Sequence, residues 1–375
     1  MIELAAADVG AWAIAASGDI AVEAEPWSVV AVDCSSPSPT TGGLYRIVGP
    51  TWSVFVKVVQ SFRHWELFDV LPAQMRAEAL ASSAWRYEAD LYRSALGSLL
   101  PEGMRLPHVH EVRELGDDRV LIVMEDVAAA TGRWDAARYA RAARGLGRLN
   151  VRLTANPLLP ATELQEPDRL LRSYFESRIA GRILPLLAAD ATWQHPLLTG
   201  RRAARLRCDL AELASRAPVL LESLSSFPHL RTHGDATPHN LLVSADRPDE
   251  LVVIDWAMSA LSPAGEELGQ LLLGGAHEGH LGVADLVALR DVVVAAYSGG
   301  LAAEGCDLPS ELVRTAMDTT VTLRSAFSAL PLERLAEPVT DELAALVAQR
   351  LELTRHLVDV GLDLDLDLDV VLASP

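Results

Sequence analysis

The chain has 375 residues and a formal net charge of −19; half of its residues are hydrophobic and 22% are charged. That length can bury a sizeable core and supply two lobes, and the acidic balance disfavours nucleic acid and anionic membranes as partners. Cys34, Cys208 and Cys306 are too few and too scattered for a disulfide framework or a metal-ligand spacing, which points to a reducing cytoplasm.

The amino-terminal stretch "MIELAAADVGAWAIAASGD" is apolar but begins with acidic residues and lacks a basic leader, so it does not read as a signal peptide. No uncharged run approaches the length of a membrane span. "CSSPSPTTGG" (34–43) is a flexible Ser/Pro/Thr/Gly stretch ahead of two β-rich runs, "LYRIV" (44–48) and "SVFVKVV" (53–59), joined by the turn-like "GPTW". A helix is predicted from about Ala73 to Leu96, because Leu80, Ala84, Tyr87, Leu91 and Ala95 recur on one helical face. "VHEVREL" and "RVLIVME" then flank Gly116-Asp117-Asp118, a hairpin signal.

From about Ala128 helical text dominates, with "RYARAARGLGRLNVRL" (138–153) and "GRRAARLRCDLAELASRA" (200–217) as clear examples. The predicted architecture is α+β: a strand-rich lobe over 1–127 and a mainly helical lobe over 128–375. Acidity is concentrated in the later part. Residues 151–375 carry 18 basic and 32 acidic side chains, residues 1–150 carry 14 and 19. Such a field would attract a cationic small molecule, or simply aid solubility. The tail "LDLDLDLDV" (362–370) reads as a low-complexity acidic end rather than a strand.

One β-like insert interrupts the helices, "RTHGDATPHNLLVSADRPDELVVIDW" (231–256). "NLLV" and "LVVI" are short apolar strands around a polar turn, and an antiparallel hairpin brings the start of the first beside the end of the second. Asn240 and Asp255 are thereby brought together, with Asp235 in the loop five residues earlier. An amide oxygen with one or two carboxylates suits Mg²⁺, an oxygen-seeking ion usually completed by water and substrate phosphates. A lone loop Asp or Asn is usually a turn former; the whole combination is far more restrictive.

"HGDATPHN" followed by "VVIDW" resembles the signature of the aminoglycoside phosphotransferase and choline kinase-like family, small-molecule kinases of bilobal, protein-kinase-like fold. The resemblance implies that Asp235 is the catalytic base, and that Asn240 and Asp255 hold Mg²⁺ on the phosphates of ATP, with GTP a possible donor. "SPAGEELGQLL" (262–272) is similar to the family's segment after the metal aspartate, with Glu267 where an Asp is expected and a structural role for it. "GRLNVRL" carries Asn150 where the family pattern has a histidine. His233 is expected to support its loop.

Lys57 is the only lysine in the chain, against 31 arginines. In kinase-like folds a strand lysine reaches the nucleotide phosphates and is fixed by a helix glutamate, here Glu88. A compact ammonium suits a narrow strand-lined site, whereas a planar guanidinium would be misplaced. "VLIVMEDVA" (120–128) looks like the family's hinge, its backbone between Glu125 and Val127 meeting the adenine edge. The phosphate-covering loop departs from G-x-G-x-x-G, having only Gly42 and Gly43.

The implied activity is ATP- and Mg²⁺-dependent O-phosphorylation of a small hydroxylated molecule, most simply an antibiotic (aminoglycoside, peptide or nucleoside). No nucleic acid or membrane partner is implied, and the oligomeric state is open. Candidate pocket linings are the 157–185 region and Glu266, His277, Glu278 and His280, the last three forming a polar loop rather than a metal site. The rival readings are a metabolic kinase of an amino sugar, sugar or choline-like compound, and, from another class, a nucleotide-binding pseudokinase or sensor. Few aromatics in the helical part argue against a choline cage.

Overall fold

The computed structural model describes residues 5–33, 38–82 and 84–365. Residues 34–37 of the predicted phosphate-loop stretch and the end of the Leu-Asp tail lie outside the described residues. From the amino terminus come α1 (Ala6–Ser17), β1 (Ser28–Ala31), β2 (Thr41–Val48), β3 (Ser53–Gln60), α2 (Ala73–Ala81), α3 (Tyr87–Arg93), β4 (Met104–Arg105), β5 (Val109–Gly116) and β6 (Arg119–Glu125). Helices α4 (Ala136–Ala155), α5 (Arg169–Tyr174), α6 (Leu184–Ala188), α7 (Asp190–Trp193) and α8 (Arg201–Ser223) follow. Then come β7 (His229–Thr232), β8 (Leu241–Val243), β9 (Leu251–Val253), β10 (Ala260–Pro263), α9 (Glu266–His277), α10 (Val283–Ala303), α11 (Ser310–Val321) and α12 (Asp341–Asp363).

The chain divides into two compact units, and the division is not a single cut. The first takes Met1–Thr131, Asn156–Glu163 and Asn240–Ala257; the second takes Gly132–Ala155, Leu164–His239 and Met258–Pro375. The "NLLV…LVVI" hairpin therefore folds with the amino-terminal strands, and only the loop before it stays with the helices.

In the first unit five strands form an antiparallel sheet in the order β1-β2-β3-β6-β5. Strand side chains alternate between faces, and here both faces are covered. Val54, Val56 and Val58 of β3 pack with Val9, Trp12 and Ala13 of α1, a helix absent from the sequence expectation. Val59 of β3 lies on the opposite face with Ile122, Met124 and Ala89 of α3. Coverage on both sides explains why β3 reads as a nearly continuous apolar run; each fully buried aliphatic there contributes roughly 1.5–3 kcal/mol. The β5–β6 hairpin turns at Asp117 and Asp118, both with φ of 51°, the left-handed pair that a tight two-residue turn requires.

The helix expected over 73–96 is broken. α2 ends at Ala81, a 3₁₀ turn spans Ala84–Arg86, and α3 is only seven residues long. The Ser82 hydroxyl accepts the Ala84 N–H at 3.3 Å, competing with the helical ladder. A smooth apolar period does not report such a break.

The second unit is helical except for the two-stranded β7–β10 ladder. Its centre is the close packing of α4 against α10, which run side by side in the same direction: Arg133 ahead of α4 meets Asp285 in the first turn of α10, and Arg148 and Arg152 late in α4 both reach Glu304 at the end of α10. An added Cβ at Gly147 would lie 2.3 Å from the Tyr297 carbonyl oxygen, and one at Gly300 2.2 Å from that of Arg144, so glycine alone admits this approach. Among the described residues α10 is one helix long and apolar enough to cross a membrane; it nonetheless buries Val293, Tyr297 and Leu301.

Candidate active site

Lys57 sits on the α3 face of β3 and is 7% exposed. Its Nζ lies 2.6 Å from the Glu88 carboxylate of α3 and 2.8 Å from Asp255 Oδ1. Burial alone would depress the ammonium, but the two carboxylates outweigh it and hold the group well above its ordinary range. Glu88 is 1% exposed; burial pushes its pKa up, and Lys57 and the Trp256 amide oppose that shift. Period two in β3 aims residue 57 at α3, and the first turn of α3 supplies Glu88.

Asp255 follows β9 with φ of 59°, a left-handed conformation that Asp tolerates better than most side chains. The β8–β9 register pairs Leu241 with Val253, and the Ile254 N–H donates to the Asn240 carbonyl at 3.0 Å. Asn240 and Asp255 thus occupy the same end of the hairpin, as expected. Asp255 gives one oxygen to Lys57 and remains 43% exposed, so its carboxylate is reachable by an ion. The chemistry fits Mg²⁺: one carboxylate and one amide oxygen, hard donors that leave most positions to water and phosphate.

At the end of β6 the Glu125 N–H donates to the His108 carbonyl at 2.8 Å. The Glu125 side chain is engaged elsewhere. Arg105 grips it with a fork at 2.6 and 2.8 Å and holds Glu250 at 3.0 Å, so the Glu125 pKa is lowered. Ala128 and Ala130 are tied to Ala245 and Val243 by 2.8 Å backbone bonds.

Asp235 belongs to the second unit, in the loop after β7. Gly234 has φ of +83°, and a Cβ there would fall 1.8 Å from the Met258 carbonyl oxygen. Glycine is therefore obligatory before Asp235. The Asp235 N–H donates to His233 Nδ1 at 3.3 Å, and its carbonyl accepts the Thr237 N–H at 2.8 Å. Buried His233 holds the turn, as its sequence context suggested.

Beneath the loop lies a buried polar cluster. Glu267 accepts the His233 N–H at 3.0 Å and the Asn150 amide at 2.7 Å, and Asn150 also donates to the Tyr297 hydroxyl at 2.9 Å. Asn150 and Glu267, two of the departures from the family pattern, touch each other: a longer carboxylate on α9 meets a shorter amide on α4. Burial raises the Glu267 pKa to about 7, against the hydrogen bonds from Asn150 and the loop.

Sequence reasoning missed Arg324, which lies beside Asp235; the available signal was one arginine inside the apolar run 321–330. Of the candidate linings, Glu266 is here, with Oε1 3.9 Å from Arg324 Nη1. Glu278 instead pairs with His239 and His280. Among the described residues no group of three or more His, Cys, Asp or Glu side chains could hold a metal.

The profile of the phosphotransferase enzyme family matches residues 76–304. Comparison with curated proteins yields no match. A choline kinase structure from Cryptosporidium parvum Iowa II is 12% identical, with a TM-score of 0.52, covering 93% of this chain and 94% of that one. Spectinomycin phosphotransferase APH(9)-Ia with ADP and spectinomycin is 10% identical, with a TM-score of 0.49 over 89% and 92% of the two chains. A microcompartment-associated aminopropanol kinase is 16% identical, with a TM-score of 0.49 over 90% and 95%. The fold is the kinase-like α+β fold expected from the sequence, with an antiparallel amino-terminal sheet and a mostly helical remainder.

Proposed function

The chain belongs to the phosphotransferase enzyme family and is a small-molecule kinase; from that premise we propose that it phosphorylates a hydroxyl of a small molecule, with ATP as donor and Mg²⁺ as its ion, in the cytoplasm. The observation that carries this reading is the buried Lys57–Glu88–Asp255 cluster. A structural protein gains nothing from burying a lysine between two carboxylates at this cost in desolvation. Residues 1–127 act as the nucleotide lobe and 128–375 carry the catalytic loop.

Lys57, fixed by Glu88, serves the α- and β-phosphates. Asn240 and Asp255 hold the metal, and the Glu125 carbonyl with Val127 meets the adenine edge. Mg-ATP supplies the phosphoryl group and neutralises its developing charge when bound. Asp235 accepts the proton of the acceptor hydroxyl as that oxygen bonds to phosphorus and the bridging oxygen leaves with ADP. The acceptor is an antibiotic hydroxyl, giving resistance or self-protection. A second reading, a metabolic kinase of a sugar-like compound, is favoured by Arg324 beside Asp235.

The test is ADP release with Mg-ATP across aminoglycosides, peptide and nucleoside antibiotics, and sugars, with Asp235→Asn as the blank. Acceptor-dependent release, cut by two or more orders of magnitude in Asp235→Asn while Mg-ATP binding persists, is expected. Release that is equal in the variant sinks the base assignment.

A further inference from the structure

The surroundings of Asp235 are not those of a pocket for a polycation. Arg324 Nη2 lies 3.9 Å from Asp235 Oδ1; the arginine side chain is 17% exposed and the aspartate 33%. The guanidinium is held from its other edge. With its carbonyl oxygen turned inward, the Gln270 amide accepts from Nε at 2.5 Å and Nη1 at 2.9 Å. Its Cζ lies 5.4 Å from the centre of the Tyr174 ring, a cation–π contact. Glu266, buried below, is 3.9 Å from Nη1, beyond hydrogen-bond reach.

Arg324 sits within a π-helical stretch, Thr322–Ala326, and Tyr174 directly precedes another, Phe175–Ile183. The two stretches are pinned by Phe175 against Phe327, edge to face at 6.2 Å. Wide turns of this kind cost hydrogen-bond geometry and recur where side chains must be aimed. Here they direct a rigid cationic fork to the side of the candidate base, with Nη2 at 3.9 Å from Asp235 Oδ1, outside hydrogen-bond reach of it.

We propose that the acceptor bears a carboxylate close to its reacting hydroxyl, and that Arg324 is the specificity-determining residue that binds it. The inference rests on the phosphotransferase reading above and names its substrate class: a hydroxylated carboxylic acid such as a sugar acid, not a polyamine-like aminoglycoside. A planar fork matches two carboxylate oxygens, and the same charge repels an ammonium placed beside the hydroxyl presented to Asp235. The acidity of the chain as a whole then serves solubility.

ADP release with Mg-ATP is measured on matched sets sharing one scaffold: sugar acids, their parent sugars and the corresponding amino sugars. The wild type should favour acid over amine by about 100-fold in kcat/KM, and Arg324→Gln should collapse that preference to near unity, chiefly through KM. Arg324→Lys, which keeps charge and stem but not the fork, should restore part of it, separating recognition from loss of folding. Release confined to amino or neutral acceptors, or an Arg324→Gln defect equal across the three sets and seated in kcat, overturns the proposal and leaves the kinase reading standing. No release with any acceptor overturns both.

Discussion

Lys57→Met should expose the energetics of the buried pair. The substitution fits the apolar face of β3 but leaves Glu88, 1% exposed, without its partner at 2.6 Å. Removing one member of such a pair typically costs about 3–5 kcal/mol. Glu88 can limit the loss by taking up a proton. For a carboxyl of ordinary pKa near 4.3, neutralisation at pH 7 costs about 3.7 kcal/mol at 1.36 kcal/mol per unit. An acid whose pKa is raised by folding gives stability that is complete below its unfolded value and is lost as pH rises towards the folded one. The deficit should therefore grow by about 1.4 kcal/mol per unit between pH 5 and pH 7. Lys57→Met with Glu88→Leu removes both charges; Asp255, 43% exposed, stays solvated, and stability should return to within about 1 kcal/mol of wild type. Urea titrations of the four proteins at pH 5, 6 and 7 close the cycle. If the single losses simply add in the double variant, to within about 0.5 kcal/mol at every pH, the buried-pair argument is wrong.

Lys57→Arg should keep the fold and the charge yet raise the KM for ATP about 10-fold or more, because a fork cannot occupy the point between Glu88 and Asp255; unchanged ATP kinetics would refute the account of the lone lysine. Gly234→Ala should abolish turnover and lower the melting temperature, since its Cβ would collide with the Met258 carbonyl; a fully active variant would mean that the loop is not held as described. Glu267, with a pKa raised to about 7, must lose stability as pH rises from about 4.5 to 7. Glu267→Gln should flatten that slope, by up to about 3 kcal/mol between pH 5 and pH 8, and an unchanged urea-midpoint profile would remove Glu267 from the balance.

The readable parts of this protein were those specified locally. The β-rich apolar runs around Lys57 and in "RVLIVME", the glycine-aspartate turn at 116–118 and the "NLLV…LVVI" hairpin appear as expected, because each is fixed by strand propensity and turn chemistry within a few residues. The shared hairpin end of Asn240 and Asp255 was legible for the same reason. Helix continuity was not: the helix breaks at Ser82 despite a clean apolar period. Nor could any local pattern show that α1 covers one face of the sheet, since its amphipathic stripe is only Val9, Trp12 and Ala13.

What the tertiary structure alone decided is which distant residues share a buried volume. Lys57 and Asp255 are 198 positions apart, and Asn150 and Glu267 117 apart, yet each pair is joined by a hydrogen bond. The sequence by itself supplied the residues that can ionise and the elements that carry them. Whether a charge is stable, shifted or poised depends on the dielectric and the partners it meets in the fold. Those are properties of packing, set by every element at once, and Arg324 beside Asp235 is the instance that one strand or helix read alone could not disclose.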